Sequence, residues 1–228
     1  VKFDFMDGHF NNTSRSANHV AWMWKRAKGY MDVVCYSGTG SARTVPHSLS
    51  VVPEMMWVKC RSNANHWRCY SDTLGATKAL SLNMADLPYT LADVWNNTEP
   101  TDEVFTLGSR ADVNNNAYTY IAYLFATLTG ISKVGSYTGT GSDINVDCGF
   151  SAGARFILIK RTDATGDWYL YDTLRGIVAG ADPFLKLNTT DAQDEGNDGI
   201  DPLSSGFIVT SSSGNNTSGG TYIFYAIA

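Results

Sequence analysis

The sequence repeats itself at a spacing of 101 residues, which restricts the chain to folds that can be built twice from one unit. The hexapeptide YSGTGS that begins at Tyr36 is matched by YTGTGS at Tyr137, and Trp67 is matched by Trp168. Further segments match at this spacing or after small insertions: Lys59 with Lys160, Tyr70 with Tyr171, LSLN (80–83) with LKLN (185–188), and TYIAY (119–123) with TYIFY (221–225).

The repeat predicts how the chain is divided. Residues 36–126 form the first repeat and residues 127–228 the second. Residues 1–35 resemble the end of a preceding unit, because HVAWMWKRAKGYMDVVCYSGTG (19–40) aligns with YIAYLFATLTGISKVGSYTGTG (120–141) at the same spacing. We therefore expect the N-terminus to be an internal point of a longer or processed polypeptide.

Short apolar runs alternate with turn residues inside each repeat. In the second repeat these runs are FILIKR, WYLYDT, FLKLN, GFIVTS and TYIFYAIA, and Gly, Ser, Thr and Asn crowd the segments between them. Spacings of this kind are typical of antiparallel sandwiches. The sequence predicts an all-β chain of two tandem related antiparallel β-sandwich units of jelly-roll type. Whether they form separate lobes or intercalate into one larger sandwich stays open.

The repeated glycine hexapeptide has two interpretations. A phosphate-binding loop delivers its ligand to a helix N-terminus and often carries a Lys-Ser/Thr pair. YSGTGS and YTGTGS lack that pair, and no helical periodicity follows either of them. Because glycines supply the positive φ of tight β connections, we expect two turns.

Charge and motif content exclude several function classes. The net charge is −5 without a long basic run, so no nucleic-acid partner is expected. No apolar run of about 18 residues is present, so no membrane partner is expected either. The four histidines have no counterparts at the repeat spacing, and no nucleophile elbow or paired-carboxylate signature occurs. We expect no enzymatic activity.

Two cysteines fall in one predicted hairpin. Cys60 and Cys69 are equidistant from its centre near Ala64, so a hairpin without a bulge would place them opposite one another. A disulfide is one interpretation and two reduced thiols the other. The second repeat has Arg161 and Leu170 at these positions, which argues against an essential pairing.

The segment DAQDEGNDGID is the most acidic part of the chain. It offers carboxylates for calcium, a cation that takes six to eight oxygen ligands, but its spacing is not that of an EF-hand. The alternatives are a calcium site and an exposed acidic turn without an ion, and no other cofactor is expected. The candidate ligands are Asp191, Asp194, Asp198 and Asp201.

Two Trp-x-x-Tyr motifs are candidates for sugar binding. Trp67 with Tyr70, and Trp168 with Tyr171, could offer aromatic platforms to a sugar ring. Residues at i and i+3 of a strand point to opposite faces, so one member of each pair should pack in the core. Core packing and carbohydrate contact both remain open for these residues.

Several segments together resemble a known family. AWMWKRAKGYMDVVCYSGTG, VPEMMWVKCRS, HWRCYSDTLG and YIAYLFA look like a tandem domain of marine bacteriophage structural and tail-fibre-like proteins, which is associated with concanavalin-like lectin sandwiches. The resemblance covers residues 19–228 and supplies no catalytic or ligand residues.

The resemblance implies a structural protein on the exterior of a virion: a tail fibre, a head fibre or a capsid decoration that serves adhesion to the host. Its partners would be other virion proteins and copies of itself, with a trimer as the expected assembly. The alternative is a lectin-like carbohydrate-binding module that recognises a host-surface glycan.

Overall fold

The structure is a computed structural model that describes residues 22–228, so the predicted N-terminal segment before residue 22 lies outside it. The all-β prediction is confirmed: the described chain is organised into four antiparallel sheets. The helices, α1 and α2, have four residues each. Among residues 22–228 there is no helix with the length and apolarity that crossing a bilayer would take.

The described residues form sixteen strands and two helices. In chain order they are β1 Met31–Ser37, β2 Arg43–Pro46, β3 Met55–Cys60, β4 Arg68–Ser71, β5 Lys78–Ser81, β6 Tyr89–Thr90, α1 Ala92–Trp95, β7 Val104–Leu107, α2 Ala111–Asn114, β8 Thr119–Phe125, β9 Ser132–Thr138, β10 Ile144–Asp147, β11 Phe156–Arg161, β12 Trp168–Asp172, β13 Leu185–Lys186, β14 Ile200–Leu203, β15 Gly206–Val209 and β16 Thr221–Ile227.

Two large sheets dominate the molecule. The first sheet has the strand order β1-β8-β3-β4-β5-β6, and the second sheet has the order β13-β12-β11-β16-β9. Two small sheets, β2-β7 and β10-β15-β14, accompany them. Every ladder between named strands joins two strands from the same half of the chain, so the described strands do not intercalate.

The two large sheets share a strand order. Read from the other edge, the second sheet is β9-β16-β11-β12-β13, and its strands follow those of β1-β8-β3-β4-β5 one by one. Strands β1 and β9 begin 101 residues apart, as do β3 and β11, whereas β8 and β16 begin 102 apart. Strand β1 runs across the domain boundary predicted at residue 35.

Three apolar clusters fill the layers between these sheets. The first includes Val58, Phe105 and Val94, and lies between the first sheet, the β2-β7 pair and helix α1. A second cluster, which includes Ile159 and Phe207, fills the corresponding space beside the second sheet. Each large sheet therefore has one face covered by elements of its own half of the chain.

The third cluster, here called the seam, joins the remaining faces of the two large sheets. Its members alternate along each strand with those of the other clusters, as β geometry requires. They include Met31, Met55, Trp57, Cys69, Leu80 and Phe125 from the first sheet, and Val134, Phe156, Leu158, Trp168, Leu170, Ile223 and Tyr225 from the second. Phe125 and Tyr225 meet across the seam with ring centroids 4.8 Å apart.

Each glycine hexapeptide forms the connection after the first strand of its half, as predicted. A Cβ on Gly38 would lie 2.1 Å from Asn115 O, and one on Gly139 would lie 2.2 Å from Thr217 O, so neither position can hold a larger residue without moving the backbone. The second glycines, Gly40 and Gly141, both have φ of 75°, a conformation that favours glycine.

A buried asparagine holds each of these turns. Asn114 Oδ1 accepts the Thr39 N–H at 3.0 Å, and its amide donates to two carbonyls at 2.7 Å. Asn216 does the same in the other half, where its Oδ1 accepts the Thr140 N–H at 2.9 Å. The repeated motif thus serves a structural purpose, because it wraps a polar side chain that would be costly to bury without partners.

Candidate functional site

Trp67 and Trp168 occupy related positions at the start of the fourth strand of each half. The Trp67 N–H donates to Asn83 Oδ1 at 3.1 Å, and the Trp168 N–H donates to Asn188 Oδ1 at 2.7 Å. Both asparagines come from the matched LSLN and LKLN segments. The sequence match therefore corresponds to the same local hydrogen bond in both halves.

Two lysines also act alike beside these tryptophans. Lys59 Nζ donates to the carbonyl of Asn65, and Lys160 Nζ donates to the carbonyl of Gly166. Each ammonium thereby ties its strand to the following hairpin loop. The spacing of the acceptors matches the repeat spacing of 101 residues.

Trp168 is sealed by a segment from the first half of the chain. Residues 81–86, here called the covering segment, begin at the last residue of strand β5 and reach across the seam. The Trp168 indole N–H donates to Ser81 O at 3.0 Å, and only 1% of the residue is exposed. Lys160 Nζ and the Gly166 N–H both donate to Ala85 O, at 3.0 and 2.9 Å.

Trp67, in contrast, lies half-buried in the wall of a cavity of about 610 Å³. Its ring stacks on Tyr123, with centroids 6.3 Å apart and planes 24° from parallel. The wall is mostly apolar and rich in aromatic rings. It is lined by Trp22, Met23, Trp24, Met31, Val33, Trp57, Trp67, Leu82, Asn83, Tyr123 and Leu187.

The segment of the second half that corresponds to the covering segment takes a different course. Leu187 lies in the cavity wall, but Thr190, three residues further along the chain, is exposed. Lys186 Nζ lies 3.3 Å from an oxygen of Asp167 and 3.7 Å from one of Asp191. Through these ion pairs Lys186 contacts residues of its own half of the chain. Trp67 therefore faces the cavity.

Two further tryptophans close the cavity on the side where the described chain begins. Trp24 makes edge-to-face contacts with Trp57 at 6.0 Å and with Phe156 at 5.6 Å, so it contacts both large sheets. The Trp22 indole N–H donates to Asp172 Oδ2 at 2.9 Å, and the Arg175 guanidinium lies 5.7 Å from the Trp22 ring centroid. Trp22 and Trp24 thus pack against the chain's own sheets.

The four residues predicted as sugar platforms do not come together. Only Trp67 lines the cavity. Tyr70, Trp168 and Tyr171 are 1–2% exposed and belong to three different clusters. The Tyr70 hydroxyl donates to Glu99, and burial raises the pKa of Tyr171, whose hydroxyl accepts from Asn215 at 3.4 Å. Trp24, Trp57 and Tyr123, which sequence reasoning did not single out as site residues, provide the other aromatic rings.

The predicted acidic loop does not gather its carboxylates. Asp194 accepts hydrogen bonds from Gly196 and Asn197, Asp191 faces Lys186, and Asp201 accepts the Gly180 N–H. No group of three or more metal-ligating side chains occurs among residues 22–228. Burial, and then the charges of Asp201 and Asp143, raise the pKa of Asp198.

The expected alignment of Cys60 with Cys69 is wrong. Cys69 lies opposite Trp57, and Cys60 lies opposite Tyr120 on the neighbouring strand. Because Val58 pairs with Arg68, the hairpin is centred on Asn63 and not near Ala64, and this shift of register turns the two thiols to opposite faces of the first sheet. All four cysteines are free, and burial raises the pKa of the Cys69 thiol.

Lys160 is a basic residue of strand β11 that lies beside the covering segment. It is fully buried, and this burial lowers its pKa to about 8, although Asp167 and Asp86 favour the charged form. Its two carbonyl acceptors, on Ala85 and Gly166, surround the amine. These hydrogen bonds hold the covering segment against the second sheet, which is a structural role.

Comparison with known proteins identifies a family. No curated protein and no solved structure is detectably similar to the chain. One family model covers residues 3–228, nearly the whole sequence. The chain therefore belongs to the family described as a domain of unknown function, DUF7483.

Proposed function

We propose that this chain is a non-catalytic structural module on the exterior of a bacteriophage particle, where it serves adhesion to the host. The observation that carries the proposal is the seam. It joins one face of each large sheet, and the other face of each sheet is covered by elements of its own half. Such packing across both halves suits the rigid body that a fibre or decoration protein requires.

The module is built, in this proposal, from two β-sandwich units of jelly-roll type that arose by internal duplication. The shared strand order, the paired Trp–Asn hydrogen bonds and the two glycine turns support this origin. Gene duplication explains why local details recur so closely, since convergence would have to reproduce each contact separately.

Three buried charged side chains agree with a structural role. Lys160 is held between carbonyls, and Asp182 accepts the N–H groups of Val178 and Ile200, both at 2.9 Å. Arg68 is buried against Asp112, 2.7 Å away. Each of these three side chains has a partner within the fold.

A second candidate function is recognition of a host-surface glycan by the cavity. The half-buried Trp67 ring, stacked on Tyr123 and beside Asn83, favours it, because sugar rings pack on aromatic faces. In this case the chain would act as a lectin-like module of the same assembly.

Immunogold electron microscopy tests the primary proposal. Antibodies raised against the purified chain should label the outside of intact particles of the virus that encodes it. Label confined to disrupted particles or to infected cells would contradict a place on the exterior.

Light scattering should give three times the 24.8 kDa chain mass if the expected trimer forms. A glycan array separates the second candidate, which requires a defined sugar preference that Trp67→Ala abolishes.

A further inference from the structure

We propose that the Trp67 cavity binds an extended polypeptide segment of a partner protein, which inserts an apolar side chain among the aromatic rings and offers a backbone carbonyl to the Trp67 indole N–H. The inference rests on the proposed role as a structural module of a virion, and it names a contact between this module and another protein of the particle.

The molecule contains the model for this contact at its related position. At Trp168, the covering segment runs from the last residue of strand β5 into irregular polypeptide, and it lies against the tryptophan and its lysine. Its Ser81 carbonyl accepts the indole N–H, and its Ala85 carbonyl accepts both an ammonium and a backbone N–H. Polypeptide is thus the ligand that this combination of tryptophan, lysine and hairpin binds in the same fold.

The two side chains that donate to the covering segment have counterparts in the first half. Trp67 corresponds to Trp168 and Lys59 to Lys160, and Trp67 lines the cavity. Lys59 is half-buried and donates to Asn65 O, and no acceptor for the Trp67 indole N–H lies within the part of the chain that the structure describes. The Trp67 indole N–H is therefore available to a carbonyl of a bound segment, while Lys59 holds the hairpin loop beside it.

The wall of the cavity also favours a peptide. Asn83 is a polar residue of a lining that is otherwise apolar or aromatic. Its side-chain oxygen accepts the Trp67 N–H and its nitrogen lies 3.2 Å from His66 Nδ1, so both ends are engaged. A sugar needs several polar partners for its hydroxyls. A peptide with an apolar side chain matches the wall, and the cavity is continuous with the seam.

The experiment uses a synthetic probe with the sequence of the covering segment. The blocked peptide SLNMADLP, residues 81–88 of this chain, is titrated into the full chain labelled with ¹⁵N, and the indole N–H resonances are followed. We expect saturable shifts at Trp67, with Kd of about 1 mM or tighter. The same peptide with its leucine at position 82 replaced by Asp should bind at least tenfold more weakly.

Variants of the chain assign the contact. Trp67→Ala should weaken binding about tenfold or more, as expected for an aromatic anchor at a contact centre. Trp67→Phe keeps a ring against Tyr123 but removes the N–H, so it should fold normally and bind with intermediate affinity. Ile131→Ala alters another exposed apolar residue, which is 46% exposed and absent from the cavity wall, and should bind like the wild type.

Three results would overturn the proposal. They are the absence of saturable shifts at several millimolar peptide, shifts confined to Trp168, and displacement of the peptide by a simple sugar that binds Trp67 more tightly. None of these outcomes affects the immunogold result, so a failure of this contact and a failure of the virion assignment are distinguishable.

Discussion

Trp67 and Trp168 show how one local motif acquires two environments. The backbone N–H of each tryptophan donates to an asparagine side chain. Beside each, a lysine donates to a carbonyl of the hairpin loop. Trp168 is sealed because residues 81–86 reach across the seam, whereas Trp67 faces a cavity because the corresponding residues 186–190 take another path. The difference teaches that the exposure of a repeated residue is decided by the segment that covers it.

The glycine turns give the opposite comparison. In both halves a glycine lies against a carbonyl, and a buried asparagine bonds to the turn. Here the contacts form within one half of the chain. Local contacts are therefore repeated with the sequence, while contacts across the seam differ between the two halves.

The largest expected effect separates the two tryptophans. Trp168→Ala removes a fully buried ring and should lower the free energy of unfolding by about 3–5 kcal/mol. Trp67→Ala removes a half-buried ring and should cost about 1 kcal/mol. Urea denaturation followed by circular dichroism measures both, and equal losses would contradict the distinction between a sealed and an uncovered tryptophan.

The glycine turns should respond alike. Gly38→Ala and Gly139→Ala each place a Cβ within 2.1–2.2 Å of a carbonyl oxygen, which forces the backbone to move. We expect a loss of about 3 kcal/mol for each variant. Gly214→Ala is the control, because this glycine also lacks a positive φ and its Cβ would meet only the Tyr169 hydroxyl, at 4.0 Å. A loss at only one of the two turns would show that they are not equivalent.

The two turn asparagines should show a smaller but again matched effect. Asn114→Ala and Asn216→Ala leave buried backbone groups without their partners, at a cost of about 2 kcal/mol each. Asn→Asp at either position should cost at least as much, because the carboxylate cannot donate to the carbonyls. Thermal unfolding of the four variants tests this, and unequal Asn→Ala losses would contradict the match.

The smallest effect concerns pH and belongs to the second half. The folded-state pKa of Lys160, about 8, lies below its ordinary value of 10.5, so between these values the unfolded chain binds more protons and stability rises with pH. Between pH 8 and pH 9 the stability of the wild type should therefore rise relative to that of Lys160→Met, by at most about 1.4 kcal/mol in total. Ionisation of buried tyrosines affects both proteins and cancels in the difference. Urea midpoints at pH 8 and pH 9 measure this change, and a difference that falls with pH would contradict the assignment.

The sequence by itself predicted the strands of both halves. Alternating apolar residues and turn-forming glycines specify β structure through contacts between near neighbours, which is why the runs around Lys59 and Lys160 and both glycine turns are found where expected. The hairpin register was predicted wrongly at Cys60 and Cys69. The alternation of apolar residues indicates which residues of one strand share a face. Which residues of two strands lie opposite each other depends also on the centre of the connecting loop, which the sequence does not show.

The tertiary structure alone decided the cavity. Trp24, Trp57, Tyr123 and Leu187 come from distant parts of the chain and meet only because the two sheets pack face to face. The sequence assigned equal roles to Trp67 and Trp168, since their immediate neighbours match. Their difference depends on where residues 81–86 and 186–190 travel after leaving their strands. The physical reason is that burial is a property of all the atoms around a side chain, and most of these come from segments that are remote in sequence.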